Sequence, residues 1–233
     1  PERTAEGVAV EELRTLPQII GSATENCARK ANAFWNKCAK SVITVDSLEE
    51  AELVKLANNT FRDLSFAFAN ELASLAQKFN VNAFNLIKSA NEGYGRNKIA
   101  MPSPGVGGYC LTKDPLLYHY SFKHMRKQAS LGKISRMINT AAIKQPIRLV
   151  EKFAKQKGKK LSELNVLLVG MAFKGMPETN DMRGSISLNV LEKLKLKKLN
   201  ISVFDWVISK SELKTISKNV IDDIENEIKD FDI

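Results

Sequence analysis

The chain has 233 residues, 44% of them hydrophobic, and a net charge of +9. That is enough for a sizeable core in one or two domains, and no apolar run reaches membrane-spanning length. The charge invites a nucleic-acid partner, but nearly all the excess sits in residues 129–162, where nine basic groups face Glu151 alone, without interleaved aromatics. A solvated helix face explains such a stripe, so no nucleic acid and no membrane are expected as partners. The N-terminus is no signal peptide. Cys27, Cys38 and Cys110 are odd in number and lack metal-ligand spacing, and His119 and His124 are too few for a His-rich metal site. Free thiols in a reducing cytoplasm, with no metal, are the expectation.

In chain order, residues 16–21 read as a short strand, 24–40 as a helix and 41–45 as a second strand. Ser47 and Glu50 form a capping box that opens a helix running to about Phe79. The second half of that helix, residues 64–73, is apolar nearly all round, and a second subunit is a natural cover. A shorter helix is expected over 82–91. Across 129–158, Ile134, Ile138, Ala142, Leu149 and Phe153 recur at helical spacing, but Pro146 interrupts them, which predicts a kink or two helices ended at Gly158. Then a strand at 164–170, a helix from Ser185 to about Lys198 and a strand at 200–205 form a βαβ unit with a parallel sheet. A further strand near Val220 and an acidic helix follow. No G-x-G-x-x-G comes after a strand.

The stretch with the most chemistry is 102–115. In its first part, 102–108, three glycines and two prolines exclude a regular element and let backbone N–H groups approach an anionic ligand through Gly105, Val106, Gly107 and Gly108. Asp114 and Pro115 read as N-cap and first residue of a helix, which places Cys110 just upstream of it, close to Lys113. Both neighbours favour a nucleophilic thiolate, and with it covalent catalysis; a small buried cysteine beside an ordinary loop is the plainer reading. Lys55 and Asn59, four apart on the long helix, share a face and could hold an oxyanion. Glu2 and Glu6 could supply a general base.

Taken together, Pro1-Glu2-Arg3-Thr4-Ala5-Glu6-Gly7, Lys55-Leu56-Ala57-Asn58-Asn59, Phe68-Ala69-Asn70-Glu71, Gly107-Gly108-Tyr109-Cys110-Leu111-Thr112-Lys113-Asp114, Gly170-Met171-Ala172-Phe173-Lys174 and Asp181-Met182-Arg183 resemble the nucleotide-sugar 6-dehydrogenases, the UDP-glucose/GDP-mannose dehydrogenase family. The neighbourhood of Asn59 and Asn70 is most like members acting on UDP-N-acetyl-hexosamines such as UDP-N-acetylmannosamine; UDP-glucose and GDP-mannose are the alternatives. The resemblance implies an α/β chain. Its parts would be the tail of an N-terminal Rossmann-like NAD-binding domain (1–46), a central all-helical dimerisation domain (47–160) and part of a C-terminal parallel α/β UDP-binding domain (161–233).

It implies a four-electron oxidation of a sugar CH₂OH to the acid, with NAD as cofactor and Cys110 carrying first a thiohemiacetal and then a thioester. Lys55 and Asn59 would stabilise oxyanions, Asp114 would orient water, and Glu2 would be the base for hydrolysis. Glu6, the glycine loop, Phe173, Lys174 and an Arg96 that reaches a neighbouring subunit would contact the UDP-sugar; Lys113 and Arg183 would contact NAD. A homodimer through the long helix is implied too. In the family a glycine-fingerprinted Rossmann domain precedes the position of Pro1 and further strands follow that of Ile233. The expectation is therefore a fragment inactive alone, with a non-catalytic dimeric core or anion-binding module as the competing reading.

Overall fold

The computed structural model describes Pro1, residues 3–125 and residues 130–233, with His124 in backbone only. The architecture is a helical central layer flanked by two short parallel sheets, an α/β arrangement. After α1 (Ala9–Thr15), strand β1 (Gln18–Ile20) pairs in parallel with β2 (Val42–Thr44), Ile19 opposite Ile43. Helix α2 (Glu25–Trp35) makes the crossover and is capped by the Thr24 side chain. It is shorter than its periodicity predicts. Past Trp35 the chain tightens into turns, with Lys37 N–H bonded to Phe34 O and Cys38 N–H to Trp35 O.

Helix α3 (Leu48–Lys78) has 31 residues, about 46 Å at 1.5 Å per residue. Ser47 Oγ accepts from the Glu50 N–H at 3.0 Å, and Glu50 Oε2 accepts from the Asp46 N–H at 3.0 Å. The capping box is thus reciprocal but reaches back one residue further than the standard form. The inner face of α3 carries Asp63, Ala67, Asn70 and Ala76, all buried. Its outer face exposes Phe61, Phe68 and Leu75, spaced by seven and so aligned along one side. Helix α4 (Ala83–Asn91) follows, capped by Asn82. Helices α5 (Tyr109–Tyr120) and α6 (Leu131–Ala142) pack against α3 and against each other.

Pro146 does divide the next segment. α6 gives way at Ile143 to α7 (Lys144–Lys157), where Pro146 occupies the first turn, whose N–H groups have no helical partner in any case. Gly158, at φ 66°, closes α7 in the left-handed conformation that a side chain would strain.

Strands β3 (Asn165–Val169) and β4 (Asn200–Phe204) pair in parallel across α8 (Ile186–Lys195), with Val166 opposite Ile201 and Leu168 opposite Val203. The main hydrophobic core lies here: Leu164, Val166, Met171, Val190, Leu191, Leu194 and Val203 are joined by Ile147, Val150 and Ala154 of α7. That packing fastens the α/β end to the helical layer. The strand expected near Val220 is only a single bridge to Val203. Before it stands α9 (Lys210–Ile216), unforeseen from periodicity although Ser209 and Glu212 make a capping box. The acidic helix is one short turn, α10 (Ile224–Glu227).

Candidate active site

The reading of Asp114 as a helix cap is overturned. Helix α5 starts at Tyr109, not Pro115, with Gly108 as its N-cap at φ 80°. Thr112 Oγ1 donates to Gly108 O at 2.8 Å and holds this first turn. Cys110 therefore stands within the first turn and is exposed, which also removes the buried-cysteine reading. Pro115 is tolerated inside α5 with the loss of one main-chain bond. Asp114, fully buried, lies one turn beyond Cys110 on the same face. It needs partners, and it has two. Asn59 Nδ2 donates to its Oδ2 at 2.6 Å, and Lys113 pairs with its Oδ1. Lys55, half-buried, lies one turn before Asn59 on the same face of α3. The single Asn59–Asp114 bond thus registers the Lys55/Asn59 face of α3 against the Cys110/Asp114 face of α5.

The glycine loop before α5 is held at several points. Ser103 N–H donates to Asn70 Oδ1 at 2.8 Å, Ser103 Oγ donates to Gly105 O at 2.6 Å, and Gly108 N–H donates to Gly184 O at 3.1 Å. The Gly108 amide, one of those expected to face a ligand, is therefore spent on fixing the loop, as is that of Ser103. At Gly107 a Cβ would meet Gly184 O at 2.3 Å, and at Gly108 it would press the Phe173 ring at 3.1 Å. The loop is glycine-rich because it threads between main chains, as well as because it turns.

The loop after β3 brings the remaining predicted groups. Burial opposes charge on Asp205, but four backbone N–H groups outweigh it and lower its pKa. Met171 and Ala172 N–H donate to its Oδ2 at 2.7 and 3.2 Å, and Val207 and Ile208 N–H donate to its Oδ1 at 2.8 and 3.1 Å. This clamp at the end of β4 sets the turn that presents Phe173. Lys174 Nζ sits over the Phe173 ring at 5.4 Å and donates to Glu6 O, while Thr179 Oγ1 donates to Glu6 Oε1 at 3.4 Å. Arg183 is gripped by Asp181, Nε to Oδ1 at 2.8 Å and Nη2 to Oδ2 at 2.7 Å, and lies 5.7 Å from the Tyr109 ring centre. The hydrogen bonds from Arg183 hold Asp181 down to about pKa 2, and the same pair raises that of Arg183.

The structure thus gathers Lys55, Asn59, Asp114, Cys110 and Lys113 on two helix faces. Gly105 to Gly108, Phe173, Lys174 and Arg183 join them through the two loops, and Glu6 through Lys174. Arg96 stands outside this set, its guanidinium 5.9 Å from the Tyr94 ring centre. Glu2 lies outside the described residues. Two open grooves of about 610 and 330 Å³, one along α1 and one between α7 and α8, are lined by neither Cys110 nor its partners.

Sequence reasoning missed a buried polar cluster on α3 and α6: Asp63, Asn70, Ser135, Arg136 and Asn139. Arg136 belongs to the basic run that reads from sequence as a solvated face. Its side chain is 11% exposed and paired with Asp63 at 2.8 Å. The available signal was Asp63 and Asn70, polar and seven apart, the first bordering and the second inside the apolar stretch 64–73. Asp205 was missed as well, although an Asp closing a parallel strand was visible.

Known proteins match this arrangement. Residues 49–141 match the UDP-glucose/GDP-mannose dehydrogenase family, central domain, and residues 167–233 match the family's UDP binding domain. A UDP-N-acetyl-D-mannosamine dehydrogenase of Campylobacter jejuni is 35% identical over 194 residues, 83% of this chain and 45% of that protein. The solved UDP-D-ManNAc dehydrogenase of Pyrococcus horikoshii superposes with a TM-score of 0.79 at 31% identity, covering 90% of this chain and 49% of that one. A UDP-glucose dehydrogenase of Pyrobaculum islandicum, at 24% identity and a TM-score of 0.82 over 99% of this chain and 53% of that one, shares the fold. The chain spans about half the length of the curated relatives it matches, 45% and 48% for two of them.

Proposed function

This chain belongs to the UDP-glucose/GDP-mannose dehydrogenase family, and from that premise we propose that it carries the thiol chemistry of an NAD-dependent UDP-sugar 6-dehydrogenase, with UDP-N-acetylmannosamine as substrate. The observation that carries the reading is the Asn59–Asp114 bond, which sets a lysine and an amide on one helix opposite an exposed thiol and a buried carboxylate on another. Cys110 Sγ adds to the carbonyl carbon of the sugar aldehyde, forming a C–S bond and a thiohemiacetal. Lys55 and Asn59 donate to the oxygen on which negative charge develops. After oxidation to the thioester, water adds to the carbonyl carbon, the C–S bond breaks, and Cys110 is released as the acid leaves. Asp114 orients that water, and Glu2 takes its proton.

NAD would supply the oxidising power, two NAD in turn each accepting one hydride from the sugar carbon. Among the described residues, Lys113 and Arg183 are the cations that flank Cys110 and Tyr109. Their side chains are 56% and 72% exposed and so within reach of a diphosphate. Both already pair with carboxylates, Asp114 and Asp181. They fit one rim of a dinucleotide site. Phe173, Lys174, Glu6 and the glycine loop would hold the UDP-sugar. Residues 1–46, 47–160 and 161–233 are assigned to NAD-binding, helical and UDP-binding parts, with Arg96 facing a neighbouring subunit and a homodimer formed through α3. Three free thiols suit a reducing cytoplasm.

The test follows NADH absorbance in the protein carrying this sequence, supplied with NAD and UDP-N-acetylmannosamine, UDP-N-acetylglucosamine or UDP-glucose. Two NADH per UDP-N-acetylmannosamine are expected, and release of the acid should stall in Cys110→Ser. Two NADH per sugar at an undiminished rate in that variant would overturn the proposal.

A further inference from the structure

We propose that Asp63 is the hub of a buried polar relay whose role is to position the glycine loop, and through it Cys110. Asp63 lies fully buried on α3, more than 40 positions before Cys110 in the sequence. Its Oδ1 accepts from Arg136 Nη1 at 2.8 Å and Asn139 Nδ2 at 2.8 Å, and its Oδ2 accepts from Ser135 Oγ at 2.6 Å. A carboxylate offers acceptors only. Asn139 must therefore turn its NH₂ towards Asp63, which it does twice, reaching the Asp63 carbonyl as well at 2.9 Å. The Asn139 carbonyl oxygen is left facing Asn70, so Asn70 must donate, Nδ2 to Oδ1 at 2.9 Å. The Asn70 carbonyl oxygen is then left for the loop and accepts the Ser103 N–H at 2.8 Å. Each amide hands on the polarity set by Asp63, and the chain ends on a main-chain donor of the loop.

A second arm reaches the loop through Arg136, whose guanidinium faces Val106 O at 3.4 Å. Asp63, Asn70, Ser135 and Asn139 are almost wholly excluded from solvent. A buried network of this kind is costly unless every member is satisfied, and a well-packed apolar seam between α3 and α6 would serve packing alone. What the polar version adds is a defined orientation at Ser103 and Val106, seven and four residues ahead of Cys110 in the same short segment.

The proposal rests on Cys110 being the reacting thiol, but its test uses no substrate. The purified chain is treated with iodoacetamide, alkylation of Cys110, Cys27 and Cys38 is followed peptide by peptide, and amide exchange is measured in parallel. Asp63→Asn keeps the shape and places a donor where the relay needs an acceptor. The Ser103 amide should lose about tenfold or more of its protection while the middle of α3 keeps its own. Cys110 alkylation should shift by about threefold or more relative to Cys27 and Cys38, which lie on and just after α2. Unchanged Ser103 protection would overturn the proposal, as would all three cysteines changing together, which marks general loosening. If Asp63→Asn does not fold, Asn70→Ser decides. It removes the Asn139–Asn70 and Asn70–Ser103 links and leaves Ser135, Arg136 and Asn139 on Asp63, so Ser103 must lose protection while the α6 backbone keeps its own, or the proposal fails. Loss of the NADH signal in Cys110→Ser is a separate result, so failure of the catalytic reading and failure of the relay are told apart.

Discussion

Gly107→Ala puts the contact between the glycine loop and the α/β end to a quantitative test. The added Cβ would stand 2.3 Å from Gly184 O, where ordinary contact begins at 3.4 Å, so the surfaces must part by the difference, 1.1 Å. Both sides are main chain, and neither can swing away. The Gly108 N–H to Gly184 O bond, 3.1 Å long, does not survive that separation. Overpacking costs about 1–3 kcal/mol and the lost bond about 1 kcal/mol. The reduced freedom of the unfolded chain returns about 0.4–1 kcal/mol, since Gly107 is not in the left-handed region. The net expectation is a loss of about 2 kcal/mol, read from urea unfolding by linear extrapolation, together with faster exchange of the Gly108 amide. Gly95→Ala is the control. Nothing lies within 4 Å of its Cβ, and it should be neutral or slightly stabilising. A Gly107→Ala stability within about 0.5 kcal/mol of that control would refute the reasoning.

Three further outcomes follow from the same geometry. Asn59→Ala leaves the buried Asp114 with Lys113 alone and should cost about 1–3 kcal/mol in urea unfolding; a neutral result would mean that the Asn59–Asp114 bond does not register α3 on α5. Because folding lowers the pKa of Asp205, its contribution is complete above the ordinary Asp value of about 3.9 and drains away as the pH falls through the lower folded value. Stability measured from pH 5 downward should therefore fall less steeply in Asp205→Asn, and parallel curves would count against the clamp. Phe61, Phe68 and Leu75 line the exposed side of α3, so light scattering at micromolar concentration should give a dimer that Phe68→Asp converts to monomer; a monomeric parent chain would end the dimer proposal.

The sequence by itself determined what depends on neighbours a few positions away. The Ser47 and Ser185 caps, the break at Pro146, the stop at Gly158 and the βαβ order of β3, α8 and β4 all follow from local hydrogen bonding and short-period hydrophobic patterns. So did the gathering of Lys55 with Asn59, because four residues make one helical turn. Tertiary structure decided the rest. Asp114 before proline has the local form of a cap, yet it belongs to the interior of α5, because Asn59, 55 positions away, satisfies its carboxylate and Gly108 starts the helix a turn and a half earlier. Arg136 sits in a basic run that reads as solvated, yet it is withdrawn from water because Asp63, 73 positions away, is buried and needs a cation. A charged side chain is driven outward by hydration unless a specific partner replaces the water, and a partner that distant exists only once α3, α5 and α6 have packed.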